Sequence, residues 1–224
     1  GIVPANTELP PRNPGVKAWD SLSADEKRLF ARMMEVYAGF LDHTDEQIGR
    51  LIDYLDETDQ LNNTMIILTS DNGASMEGST NGSFSEYMLL NQMPEENVSF
   101  LLTKIDELGG PMTFPHYPMG WAMAGNTPFK LYKQWTHEGG VHDPLIIYYP
   151  AEIKDKGAVR TQFTHAIDIV PTILEVVGIE APEVYKGIPQ KPVEGVSMAY
   201  TFDQPDAQNR KDVQYFAMWG SRGL

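Results

Sequence analysis

The residue types able to do chemistry fall in two short stretches. The first is Ser70-Asp71-Asn72-Gly73. An aspartate beside an asparagine offers one charged and one neutral oxygen donor, a pair suited to a hard cation such as Ca²⁺ or Mg²⁺. Gly73 lets a neighbouring backbone come close. The same tetrapeptide is good turn chemistry, so a metal-binding loop and a plain turn are both open. The second stretch runs from Lys130 through Lys133, His137, Glu138, Gly139 and Gly140 to His142, Asp143 and Pro144. Lys133 can pair with an anionic ligand oxygen as a compact point charge, or it can be a solvated surface lysine. His137 and Glu138 are acid–base types, but a glutamate ahead of Gly-Gly also suits a turn. His142 reads as a hydrogen-bonded loop histidine and His165 as the start of a helix.

Composition excludes several classes. The 224 residues include no cysteine, which removes disulfides, zinc–thiolate sites and a cysteine nucleophile. The net charge of −14 opposes nonspecific binding to nucleic acid or to an anionic membrane, so neither is an expected partner. It does not oppose a small anionic substrate, because a bound divalent cation and local lysines can dominate the field inside a cleft. No apolar run approaches the ~20 residues of a spanning helix. The chain begins at Gly1 in a Pro-rich stretch, which reads as a cut or processed end. The missing leader therefore says nothing about export. The compartment stays open, with a periplasmic or secreted setting favoured. Asn62, Asn81 and Asn97 open N-x-S/T triplets, acceptors only in a secreted eukaryotic protein.

Elements must position these stretches. The length suits one domain or slightly more. Residues 1–22, with Pro4, Pro10, Pro11 and Pro14, read as loop. Ser23-Ala24-Asp25-Glu26 is a capping box opening a helix over 23–55, with Leu29, Met33, Val36, Phe40, Leu51 and Leu55 among the residues of one face. Such a helix is ~45 Å long and needs a large surface to lie on; a break near 42–44 is allowed for. Residues 64–69 (TMIILT) predict a buried parallel strand, and 145–149 (LIIYY) a second buried strand. The first stretch then sits at the carboxyl end of a strand, where ligands gather in open α/β sheets. The second stretch is the loop entering the next strand. Residues 74–128 form an irregular insertion in which only 97–108 reads as helix. Its Phe114, His116, Tyr117 and Trp121 either face a substrate or anchor the insertion. Beyond lie a short strand over 161–163, a helix over 168–177 with Pro171 in its first turn and Gly178 as its C-cap, a loop over 180–211, and a strand over 213–218 with no closing element. The alternation is that of an α/β fold.

Taken in order, these pieces resemble the sulfatases of the alkaline-phosphatase-like superfamily, and the bacterial-type arylsulfatases in particular, from about Trp19 to Gly220. The pieces are Met34-Glu35-Val36-Tyr37, Asp45 to Gly49, Asn63-Thr64 leading to Ser70-Asp71-Asn72-Gly73, Lys133 five residues before Glu138-Gly139-Gly140, Pro144, and His165 through Asp168, Pro171 and Thr172 to Gly178. The resemblance implies a mixed or parallel sheet flanked by helices. It implies Asp71 and Asn72 as one pair of ligands to a divalent cation, usually Ca²⁺ with Mg²⁺ as the alternative. It implies Lys133 as the lysine contacting the sulfate of a small sulfate ester, Gly139 and Gly140 as a structural turn, and Asp45 and His165 as structural residues. The family nucleophile is a formylglycine made from Cys or Ser in a Cys/Ser-x-Pro-x-Arg motif, which this sequence lacks. Glu8-Leu9-Pro10-Pro11-Arg12 has the spacing, but glutamate stands at the nucleophile position and the long helix follows too soon. The family's first acidic ligands and the histidine and lysine flanking its nucleophile are absent as well. The expectation is that residues 1–224 are the C-terminal portion of a truncated sulfatase domain, inactive alone. The alternatives are a phosphonate or phosphate ester hydrolase of the same superfamily, and a non-catalytic sulfatase-like binding protein.

Overall fold

A computed structural model describes residues 3–224. In chain order the helices and strands are α1 (Ala24–Glu57), β1 (Ile66–Thr69), α2 (Glu86–Leu90), α3 (Val98–Thr103), α4 (Met119–Asn126), α5 (Glu138–Val141), β2 (Leu145–Tyr148), α6 (Ile169–Val177), β3 (Val184–Tyr185), β4 (Ile188–Pro189), β5 (Phe216–Met218) and β6 (Ser221–Gly223).

The capping box forms as read. Ser23 Oγ accepts from the Glu26 amide at 3.1 Å, and Glu26 Oε2 accepts from the Ser23 amide at 2.8 Å. Lys17 donates to the same carboxylate at 2.7 Å. That bond and those of Ser23 hold the Glu26 carboxyl down to about 2. The helix then runs unbroken through 42–44 to Glu57. Its apolar stripe is only partly used. Leu29, Phe30 and Met33 pack with Leu101, Ile105 and Leu108 as the larger core. Farther along, Phe40, Leu51 and Tyr54 remain exposed. The expectation of a large supporting surface thus holds for the first turns of α1.

The strands correct the sequence reading. β1 and β2 pair antiparallel, with Ile66 opposite Tyr148 and Thr69 opposite Leu145. They are also not fully buried: Leu68 and Ile146 are exposed. An apolar, β-branched run looks the same in either direction. Direction is set by where the connection returns, and here the chain re-enters beside the point where it left, with the Ser70 amide donating to Pro144 O at 3.3 Å. Residues 161–163 form no strand; Gln162 instead donates to the carbonyls of Pro205 and Ala207. The supposed loop over 180–211 contains the β3–β4 hairpin, and β5 pairs with β6, so the last strand does have a closing partner. Both hairpins turn through two residues of positive φ, Lys186-Gly187 and Trp219-Gly220, the conformation that fits the strand twist.

The insertion is more ordered than expected, since α2 and α4 accompany α3. Its aromatics serve largely as anchors. Trp121 Nε1 donates to Phe30 O at 2.9 Å, and Tyr117 sits edge-on to Tyr37 with ring centres 5.0 Å apart. Asn97 caps α3 by accepting from the Phe100 amide, and Asn81 donates to Glu96 O. Two of the three sequon side chains therefore already have structural bonds. A smaller core of Ala122, Leu131 and Tyr132, packed with Val16, Ala74 and Met76, lies directly beneath the two chemistry-bearing stretches. Near the C-terminus, Asp168 is 1% exposed and accepts from the amides of His165 and Val196, both at 2.8 Å. It also pairs with Lys211, 7% exposed, at 2.9 Å. This pair ties residues 196–211 to the start of α6. Gly178 ends α6 in the left-handed conformation, φ 67°.

Candidate functional site

The site begins where β1 stops. Ser70 Oγ donates to Asn72 O at 2.8 Å, and Asn72 Nδ2 donates to Gly73 O at 3.0 Å. The tetrapeptide is thus a turn, as its composition allows. That does not spend its ligand atoms: Asp71 is exposed, and Asn72 bonds through its nitrogen, which leaves the oxygen as its acceptor.

Backbone fits against backbone to bring the second stretch alongside. Gly73 N donates to Gly140 O at 3.3 Å. A Cβ on Gly73 would lie 1.8 Å from Gly139 O, and a Cβ on Gly139 would lie 2.1 Å from Leu131 O. No side chain fits either place. The Gly139-Gly140 pair is one turn of helix, α5, rather than a simple turn. Asn126, at the end of α4, staples the same joint. Its Oδ1 accepts from the Ala74 amide at 2.9 Å, and its Nδ2 donates to Leu131 O at 3.0 Å and Gly139 O at 2.7 Å. Asn126 escapes sequence reading because asparagine after a helix looks like ordinary turn chemistry.

Lys133 is carried on this joint, its amide donating to Ala74 O at 3.1 Å. Its ammonium donates to Glu77 Oε2 at 2.7 Å. Glu77 also accepts from Ser75 Oγ at 2.8 Å and from Gln134 Nε2 at 2.9 Å. Burial pushes the Glu77 carboxyl up, but the bonds from Lys133, Ser75 and Gln134 outweigh it and leave the group below its ordinary value. The hydrogen bond to Glu77 raises the Lys133 ammonium above its ordinary value; burial opposes this, and the charges of Glu77, Glu86 and Asp71 add to it. Asp71 makes the smallest of these contributions. Behind Glu77, His116 Nε2 lies 2.9 Å from Ser75 Oγ and Nδ1 lies 2.8 Å from Tyr117 O. A carbonyl only accepts, so Nδ1 carries a proton. Glu77 and Ser75 are the members that sequence reasoning does not assign; His116, a candidate for a substrate-facing wall or an anchor, here bonds within the insertion.

The remaining candidates separate from this group. His142 bonds to Glu138 within one helical turn and stacks on Phe129, ring centres 4.4 Å apart. His137 is the N-terminal flank of α5 without a side-chain cap. His165 starts a helical turn, accepting from the Ile167 amide, as expected. Asp45 is exposed on α1.

Asp143 differs from them. Burial, then the charge of Asp71, pushes its carboxyl up to about 6. Its Oδ1 is a buried atom without a hydrogen-bond partner. Such an orphaned oxygen beside Asp71 and Asn72 fits a hard cation, which takes carboxylate and amide oxygens. Among the described residues no three His, Cys, Asp or Glu side chains converge on one point, so the set here is two carboxylates and one amide. Asn72, Gly73 and Asp143 line a cleft of about 2600 Å³ that extends to Tyr37 and Phe40 of α1. That is well above the ~300–1,000 Å³ of an ordinary ligand pocket.

Comparison with known proteins gives a consistent likeness. The family model described as Sulfatase matches residues 4–179. An uncharacterized sulfatase of Schizosaccharomyces pombe is 38% identical over 183 residues, covering 81% of this chain and 32% of the relative. An arylsulfatase of Klebsiella aerogenes is 29% identical over 200 residues, covering 89% of this chain and 41% of the relative. A solved structure, described as a complex with its substrate D-glucosamine-2-N,6-O-disulfate, aligns with TM-score 0.43 at 23% identity over 78% of this chain and 24% of that one. The chain thus spans 32% and 41% of the length of these two curated relatives.

Proposed function

The chain belongs to the sulfatase family, and from that premise we propose that it carries part of the active site of a sulfuric ester hydrolase. Asp71 and Asn72 contribute oxygen ligands to a divalent cation, Ca²⁺ before Mg²⁺. Lys133 holds an oxygen of the sulfate group. The formylglycine nucleophile and the remaining ligands come from sequence outside these residues, in a protein of the periplasm or of secretion.

The observation that carries this reading is the glycine joint. It sets the loop bearing Asp71 and Asn72 against the loop bearing Lys133, with Gly73 N donating to Gly140 O at 3.3 Å and Lys133 N to Ala74 O at 3.1 Å. Lys133 offers an anionic ester a positive side chain there. The cation supplies further positive charge for the nucleophile and the sulfate oxygens. A fixed ammonium aimed at developing oxyanion charge stabilises the transition state more than the ground state. Glu77 keeps the Lys133 side chain extended and charged until an anion competes for it.

Two observations test the proposal. The coding sequence upstream of residue 1 should contain a Cys/Ser-x-Pro-x-Arg motif. The protein containing it should cleave a chromogenic aryl sulfate in preference to the matching aryl phosphate, and lose activity with a chelator. A folded, metal-loaded protein that turns over neither ester is a binding protein, and one that prefers the phosphate belongs to the phosphoester branch.

A further inference from the structure

β1 and β2 keep one register. Thr69 lies opposite Leu145, and Ser70 N donates to Pro144 O at 3.3 Å. Asp71 and Asp143 are the next residues on either side of that bond, where the two chains leave the ladder. Two like charges at the end of one interstrand hydrogen bond repel. Neither carboxylate takes part in a salt bridge among the described residues. The nearby cation, Lys133, is bonded to Glu77. His142, next to Asp143, is engaged by Glu138. Oδ1 of Asp143 is buried without a partner. Two carboxylates flanking one interstrand hydrogen bond, one of them with a buried oxygen left unpartnered, and the amide of Asn72 beside them form an arrangement that a divalent cation would stabilise.

We propose that Asp143 is a further oxygen donor to the cation held by Asp71 and Asn72. This rests on the cation-binding part of the proposed function. It adds to that reading a ligand from the β2 side of the site. Asp143 would bring a second negative charge from this chain, and Ca²⁺ affinity rises with the number of charged ligands. The aspartate pair would be a source of strain in the metal-free protein and a clamp in the loaded one.

The test is Ca²⁺ titration calorimetry, repeated with Mg²⁺, on the purified protein and its Asp143→Asn and Asp71→Asn variants, with circular dichroism and thermal unfolding of each. Asp143→Asn should weaken Ca²⁺ binding by about tenfold or more, the scale seen when a carboxylate supporting a metal is lost. Without metal its Tm should equal or exceed that of the parent, because the repulsion is gone. With saturating Ca²⁺ its gain in Tm should be smaller. A merely structural aspartate would instead lower Tm in both conditions, and that outcome overturns the inference. Unchanged Ca²⁺ affinity in Asp143→Asn, together with weakened affinity in Asp71→Asn, overturns the role of Asp143 and leaves the site reading standing. Unchanged affinity in both variants, or no binding of either cation by the parent, overturns both.

Discussion

Lys133 and Glu77 are linked across 56 residues of sequence by one 2.7 Å bond. If Lys133 meets the sulfate, Lys133→Ala should lower kcat/KM for an aryl sulfate by about 10²–10³, the usual effect of deleting one oxyanion donor. Glu77→Gln tests the support. The Glu77 carboxyl titrates below the ordinary value of 4.5 in the folded protein. A lowered folded pKa gives stability that is present above the unfolded pKa and is lost as pH falls through the folded one. The Tm difference between parent and Glu77→Gln should therefore be largest near neutrality and shrink as pH falls below the ordinary value of 4.5, as read by thermal melts across that range. A constant difference would show that the glutamate acts through packing rather than charge. Asp71, Asn72 and Lys133 can be proposed from the sequence because each sits in a local motif that resembles the family's. Glu77 and Ser75 are not legible there, nor is the bond of His116 to Ser75, because these contacts depend on how the insertion folds back, and no periodicity marks them.

Among the elements, α1 and α6 are the most legible, since a capping box and a left-handed Gly178 are local instructions that tertiary contacts need not revise. β1 and β2 are legible as strands but not in direction, whereas the strand expected over 161–163 does not form. An apolar run records burial, and the pairing was decided by the return path of a 75-residue connection between Thr69 and Pro144. The two late hairpins do have a signal in the X-Gly pairs Lys186-Gly187 and Trp219-Gly220, hidden by the short strands that flank them. The element on which the site depends most is α5 with its neighbouring loops. Gly139→Ala would place a methyl group 2.1 Å from Leu131 O and 2.6 Å from Lys130 O. Backbone cannot yield as a side-chain tip does, so the change should destabilise by about 1–3 kcal/mol or more, measured by denaturant unfolding. An unfolding midpoint equal to the parent's would mean that the joint is looser than its geometry.

Over the whole molecule, two features govern stability and association. Lys211 neutralises a carboxylate that is 1% exposed. Lys211→Met should cost about 3–5 kcal/mol, the usual penalty for stranding one partner of a buried pair, and calorimetric unfolding would register it. A smaller loss would mean that the two backbone amides satisfy Asp168 by themselves. The other feature is the uncovered length of α1, where Phe40 is 69% exposed. Exposed apolar stretches of this kind mark surfaces that associate, so the protein should bind a hydrophobic dye despite its charge of −14, and Phe40→Ser should lower that signal. The joint of Gly73, Gly139 and Gly140 works in the opposite sense, because it leaves nothing loose. Loops locked carbonyl against α-carbon shift together or not at all. Occupancy at the Asp71 loop and at Lys133 would then be reciprocal: whatever factor a bound cation contributes to anion affinity, a bound anion must return to cation affinity.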